Sequence, residues 1–241
     1  MSKELRIGLV AEGPTDYEVI QAALKAVLPN PFILVQFQPE ATQPQMGTGW
    51  CGVLKWCDQI AQRHQGPLLE DPTLQVNPYD LLIIHLDVDV ALMSYSNCGE
   101  PVGNFSMEKL WKSLPCAKPC PPVSDTVQAL HEVLTSWLGQ VKQDSFTIFC
   151  LPAQSSGTWL AAAVQSPTDP LLAGGECDPN IETSLAQLKK NERIKKKVKE
   201  YRAHAPQITQ QWAQVKQICS QAEQFESSVL TAINLLGQTS I

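Results

Sequence analysis

No stretch of this 241-residue chain approaches the roughly 20 consecutive apolar residues of a membrane-spanning helix. Its first residues, Met1-Ser2-Lys3-Glu4-Leu5-Arg6, run straight into a strand-like segment without the apolar core of a secretory leader. Neither an internal repeat nor a long low-complexity tract is present. Positive charge is in short supply: 18 Lys and Arg against 24 Asp and Glu leave a net charge of −6. That balance excludes a protein coated all round with nucleic-acid-binding surface. What is plentiful is apolar side chain, 44% of the residues, enough for a packed core and against wholesale disorder. The expectation is a soluble, cytoplasmic protein of one large domain, or one domain with an elaborated end.

Eight cysteines would make a disulfide scaffold only in a much shorter chain. Cys57, Cys150 and Cys219 lie in apolar or amphipathic segments and read as free buried thiols in a reducing cytosol. Cys98, Cys116 and Cys120 share one loop-like region, with His131 downstream. A structural zinc is conceivable there, but the second tight pair of such a site is missing.

The apolar pattern alternates between strand and helix periods. Residues 5–10 and 32–37 read as strands, and residues 15–27 and 50–64 as helices with one apolar face. Residues 81–86, Leu-Leu-Ile-Ile-His-Leu, form a near-continuous apolar run, as expected of a central parallel strand buried on both faces. An insert of about 91–123 follows, with a short amphipathic piece at 107–114. Then come a helix at 125–141 with Ser124 as possible cap, a strand at 146–151 and a helix at 158–164. Two long helices, 181–202 and 208–236, separated by Ala205-Pro206, close the chain. The order predicts an α/β fold: a Rossmann-like, mainly parallel sheet over residues 1–180, with a helical extension over 181–241 packed on it.

In parallel α/β sheets, sites form beyond the C-terminal strand ends, and two acidic motifs fall there. Glu12 follows the first strand, with Gly13 next and Asp16 on the first turn of the following helix. Asp87-Val88-Asp89 follows the 81–86 strand, and the strand period would send both aspartates to one side. If the two strands are neighbours, Glu12, Asp87 and Asp89 converge, and carboxylates so gathered need a cation to stay ionised. Mg²⁺ or Mn²⁺ suits such oxygen ligands. Gly13 permits close backbone approach, and a helix N-terminus favours phosphate. Asp16 and Thr15 serve equally well as plain helix caps.

An apolar strand with Glu12-Gly13-Pro14-Thr15-Asp16 after it, then an apolar strand with Asp87-Val88-Asp89 after it, resembles the Toprim domain over roughly residues 5–165. That domain is shared by topoisomerases, bacterial primases, recombination-mediator proteins and OLD-family nucleases. The chain carries no ATPase or primase domain and so looks most like the stand-alone Toprim-like proteins of the OLD-nuclease type. The resemblance implies a Toprim-like fold and a metal-dependent nuclease in a defence or repair setting. Glu12 would be general acid/base or metal ligand, Asp87 and Asp89 metal ligands, and Asp16 a helper for a second metal. A separately encoded ATPase is an implied protein partner. The sequence departs from the family at Ser155-Ser156-Gly157-Thr158-Trp159, where related proteins carry a glutamate at the place of Gly157. Asp80, Glu176 or Asp178 could substitute, or the site could hold fewer metals.

Residues 189–202 hold eight of the 18 Lys and Arg and two acids, a local surplus of six, which leaves the remainder of the chain twelve negative. Within it Lys195, Lys196 and Lys197 could contact a phosphate backbone, or the run could be a solvated helix face. Consecutive lysines on a helix spread around it and cannot all face one groove. His85, inside an apolar strand, reads as a satisfied core residue, and Trp50 and Trp56 as core or rim. Three functions stay open: a Mg²⁺- or Mn²⁺-dependent phosphodiesterase acting on DNA or RNA; a degenerate Toprim-like module that binds a partner or nucleic acid without cutting it; and a plain Rossmann-like domain whose acids lie far apart.

Overall fold

The computed structural model describes residues 4–40 and 42–239. Strand β1 (Leu5–Val10) runs into helix α1 (Pro14–Val27), whose first helical residue is a proline, a position where the missing N–H costs nothing. Strand β2 (Phe32–Gln38), helix α2 (Trp50–Arg63), the two-residue strand β3 (Gly66–Pro67) and the short helix α3 (Pro72–Gln75) follow. Strand β4 (Leu81–His85) is completely buried, as its unbroken apolar run requires. Helix α4 (Glu100–Glu108) lies in the insert, followed by α5 (Ser124–Trp137), the two-residue β5 (Val141–Lys142), strand β6 (Thr147–Cys150) and α6 (Ser156–Val164). Helices α7 (Ile181–Gln187), α8 (Val198–Gln210), α9 (Trp212–Ile218) and α10 (Ser220–Thr239) complete the chain.

The main sheet has the order β2-β1-β4-β6, all parallel, and a separate pair joins β3 to β5. This is the α/β, Rossmann-like architecture read from the sequence. From β1 the chain moves outward to β2 and then returns to place β4 on the other side of β1. The sheet therefore has its topological switch between β1 and β4, where a crevice opens at the strand ends.

Alternation along the strands sorts the core into two layers. Leu81 and Ile83 face a cluster with Val19, Ile20, Trp159, Ile208 and Phe225, built from α1, α6 and the C-terminal helices. Leu82 and Ile84 face the opposite cluster with Val53, Cys57, Leu130, Val133 and Trp137, from α2 and α5. Helices thus cover both faces of the sheet, and the C-terminal helices share one core with β1 and α1. Arg202 on α8 adds a polar tie, donating to Glu18 Oε1 of α1 from Nε at 2.9 Å and from Nη2 at 2.7 Å.

Several expected elements are corrected. The helix expected over 181–202 is broken: α7 ends at Gln187 and α8 begins at Val198, with turns and extended chain between. Like charges crowd that stretch, and Glu200 turns back to accept a hydrogen bond from the Lys195 N–H at 2.5 Å. Pro206 does not separate two helices but lies inside α8. The insert's helix is Glu100–Glu108, not 107–114, and Met107 and Leu110 are exposed rather than buried. Helix α5 ends at Trp137, before Gly139 adopts a left-handed φ of 59°. Ser124 does not cap it, being already within the helix, with Val123 at the capping position.

Cysteine pairing departs from expectation as well. Cys57, Cys150 and Cys219 are free and buried, but Cys51 is bonded to Cys98 and Cys120 to Cys177. The conceivable zinc set of Cys98, Cys116 and Cys120 is thereby dissolved, since two of its thiols are committed to different partners. Among the described residues, no helix is long and apolar enough to cross a membrane.

Candidate metal centre at the switch point

The parallel register aligns Val10 of β1 with Ile84 of β4, so the chain beyond each strand emerges side by side. Glu12 and Asp87 therefore meet: the Asp87 N–H donates to Glu12 Oε1 at 2.8 Å. His85, the last residue of β4, turns its ring into the same place, with Nε2 3.1 Å from Asp87 Oδ1. Glu12, His85 and Asp87 each offer one ligand atom, and these atoms lie within 4.8 Å of one another. This Glu/His/Asp cluster has the size and donor set of a site for a divalent cation. The fully separated acids expected of a plain Rossmann-like domain are not what the fold produces.

Helix α6 closes the site from the far side. The Ser156 N–H at its first turn donates to Asp87 Oδ1 at 2.8 Å, and the Ser156 hydroxyl donates to Asp16 Oδ1 at 2.7 Å. Asp16 also accepts from the Gly13 N–H through Oδ2 at 2.8 Å. It is almost completely buried, and so satisfies the start of α1 while facing the cluster. Capping and proximity to the site, posed as alternatives by the sequence, coexist.

The structure corrects the expectation of a satisfied core histidine at His85. It is completely buried, yet neither ring nitrogen completes a well-directed hydrogen bond. Buried polar atoms are rarely left so, and here both are held among carboxylates. Burial opposes protonation of the ring, but Asp16, Asp87 and Glu12 outweigh it and push His85 up to about 9. Glu12 is raised well above the usual carboxylate range, first by burial and then by Asp87. Burial likewise raises Asp16. An acid, a neighbouring acid and an imidazole gathered in one largely buried place is an unfavourable arrangement to keep without an added cation or a shared proton.

Asp89 stands slightly apart. Strand β4 stops at His85, and Val88–Leu92 form a single tight helical turn, so strand alternation does not govern Asp87 and Asp89 as expected. The Asp89 N–H donates to the Gln154 carbonyl at 3.1 Å, fixing the turn against the loop that follows β6. Its side chain is partly exposed at the rim, and burial and Asp87 push it up to about 6.

The basic segment enters through one residue. Lys196 Nζ lies 3.0 Å from Glu182 Oε2 and 4.0 Å from Asp87 Oδ2. Lys195 is partly buried and Lys197 exposed, and only Lys196 of the three reaches the acids. Because 188–197 is not helical, the spreading expected of consecutive helical lysines does not apply.

Of the acids suggested to replace the missing glutamate, none is in place. Asp80 Oδ2 accepts from the Arg6 N–H at the opposite end of the strands, Glu176 accepts from Ser220 and Gln221, and Asp178 accepts from the Asn180 N–H. The residue that fills the space beside Gly157 is Glu182: a Cβ at 157 would lie 2.5 Å from Glu182 Oε1. Glu182 is also hydrogen-bonded by the Tyr201 hydroxyl. It lies in a helix 25 residues beyond Gly157, too far for any local motif to announce it.

Comparison with known proteins returns nothing: no family model, no curated protein and no solved structure matches the chain.

Proposed function

We propose that the protein is a Mg²⁺- or Mn²⁺-dependent phosphodiesterase acting on nucleic acid, with a Toprim-like site. The observation that carries this reading is the meeting of Glu12, His85 and Asp87 at the switch point of a parallel sheet, with buried ring nitrogens of His85 left without good partners. A divalent ion there supplies Lewis acidity toward a phosphate oxygen and lowers the pKa of water. Glu12, raised in this pocket, is suited to carry a proton to or from the reacting oxygens. Asp87 and Asp89 provide oxygen ligands, Asp16 holds Gly13 and Ser156 in place, and Lys196 neutralises charge on the phosphate. Lys189, Lys190, Arg193, Lys197 and Lys199 are exposed along the same segment and suit a nucleic-acid backbone.

The test is cleavage of single- and double-stranded DNA and RNA by purified protein with Mn²⁺ or Mg²⁺. Asp87→Ala is expected to lower turnover by roughly 100-fold or more, the scale of removing a charge-stabilising group at such a site. Full metal-dependent cleavage by a combined Asp87→Ala, Asp89→Ala variant would sink the reading.

A second reading is favoured by one observation: the chain's own cations, His85 and Lys196, already stand beside the carboxylates. On that reading the site is a degenerate Toprim-like module that binds nucleic acid or a protein such as a separately encoded ATPase. Robust nuclease turnover excludes it. The cytoplasm suits a nucleic-acid substrate, whereas two disulfides suit an oxidising compartment. Thiol titration of denatured, unreduced protein isolated from its native cell distinguishes them, with all eight cysteines free in the first case and only Cys57, Cys116, Cys150 and Cys219 in the second.

A further inference from the structure

Asp87 divides its two oxygens between different neighbours. Oδ1 accepts from the Ser156 N–H at 2.8 Å and faces His85 Nε2 at 3.1 Å. Oδ2 faces away from that pair toward Lys196 Nζ, 4.0 Å distant. The ammonium is held between two carboxylates, since Glu182 Oε2 accepts from it at 3.0 Å. Glu182 in turn is fixed from both sides. Its Oε1 accepts from the hydroxyl of Tyr201, itself buried on α8, and it occupies space that only a glycine at 157 leaves open. Four elements thus cooperate to set one lysine: α6 provides the gap, α7 the carboxylate, α8 the tyrosine, and the chain between α7 and α8 the ammonium.

A place flanked by Asp87 and Glu182, with Asp89 on its rim, has the donor chemistry of a second cation position beside the Glu12–His85–Asp87 cluster. A lysine tethered in that place competes with a free ion at no cost in translational entropy and donates directly to Glu182. We infer that the site takes one divalent ion, between Glu12, His85 and Asp87, and that Lys196, set by Glu182, occupies the second cation position. This rests on the metal-binding reading above and goes beyond it by fixing the number of ions and assigning Glu182, a residue without a sequence motif, as the group that positions Lys196.

The experiment counts ions rather than turnover. Purified, chelator-stripped protein is titrated with Mn²⁺, following heat by calorimetry and free Mn²⁺ by its paramagnetic resonance signal. The wild type binds one ion. Lys196→Met, which keeps an unbranched stem of similar reach and removes the ammonium, binds two, the second more weakly. Adding Glu182→Gln to Lys196→Met returns the count to one, because the second position loses a carboxylate. Lys196→Arg stays at one. Thermal melts of each variant establish that it is folded. A wild type that binds two ions overturns the inference and leaves the metal-binding reading standing. A wild type that binds none overturns both. A folded Lys196→Met that still binds a single ion also overturns the inference, and since the wild-type count needs no variant, a failure of any variant to fold leaves that outcome decisive.

Discussion

Gly157 shows how one residue decides what its neighbours can do. A glycine within a helix ordinarily gains stability on replacement by alanine, through a smaller loss of backbone entropy. Here the added Cβ would lie 2.5 Å from Glu182 Oε1 and 2.9 Å from the Tyr201 hydroxyl. The glutamate is pinned by Tyr201 and Lys196, so it cannot give way freely. Gly157→Ala is therefore expected to destabilise by about 1–3 kcal/mol, the usual cost of overpacking, and Glu182→Ala to cancel most of that penalty in the double variant. Urea unfolding of the four proteins of the cycle measures it, and a more stable Gly157→Ala would show that the contact is loose. Glu12 and Asp87 were legible because each follows an apolar strand directly. His85 was missed because its strand is so apolar that a core role looked sufficient. The signal that could have found it is its spacing from Asp87, two residues, which in extended chain puts side chains on one side. Glu182 had no such signal, since only the packing of α7 against α6 brings it to the site.

At the scale of elements, the main strands and their parallel sheet were legible and the C-terminal helices only partly so. Runs such as residues 81–86 can be little else but central strands, but that β1 and β4 are neighbours was left open by the sequence, since a right-handed crossover fixes handedness and not adjacency. The break over 188–197 was not legible, because Lys and Glu are good helix formers and their spacing mimics a solvated helix face. Crowded like charges and the return of Glu200 to the Lys195 N–H decide otherwise. The two-residue strands β3 and β5 were too short to leave a pattern. The insert was placed correctly between β4 and α5, but what fastens it was not foreseen: Cys51–Cys98 ties its start to α2, and Cys120–Cys177 ties its end to the loop after α6. Closing a loop of 47 residues restricts the unfolded chain by about 4 kcal/mol in the chain-entropy account. Reduction, or Cys51→Ser, is therefore expected to loosen the insert and speed tryptic cleavage after Lys109 and Lys112. Mass spectrometry of timed digests checks this, and equal cleavage with and without reductant would show that noncovalent contacts, such as the hydrogen bond from the Trp137 indole N–H to the Tyr95 hydroxyl, suffice to hold the insert.

The whole molecule carries the electrostatic cost of its site as a dependence of stability on pH. Glu12 and Asp16 are raised above their ordinary values, and Asp89 is raised from 3.8 to about 6. Each is an acid that holds its proton more tightly when folded. Its contribution to stability is therefore present at low pH and lost as pH rises from the unfolded value through the folded one. His85, raised from 6.5 to about 9, acts with the same sign: its contribution is complete below 6.5 and is lost as pH climbs through about 9. Asp71 acts oppositely, being lowered by Arg63 and Thr73 although burial opposes this, but its effect falls below the ordinary value of 3.8. The ion-free protein should thus lose stability steadily between about pH 5 and about pH 9, where the folded state binds more protons than the unfolded one. Ligation of a divalent ion needs Glu12 and Asp87 ionised and His85 neutral, so Mn²⁺ should raise the melting temperature more at the alkaline end than at the acidic end. Melts in chelator and in Mn²⁺ across that range measure both slopes. Asp89→Asn should flatten the chelator curve between about pH 4 and about pH 6, the window its own shift defines. A melting temperature that instead rises from about pH 5 to about pH 7 in chelator would mean that the folded state binds fewer protons than the unfolded one there, so that burial keeps His85 neutral against the pull of the carboxylates.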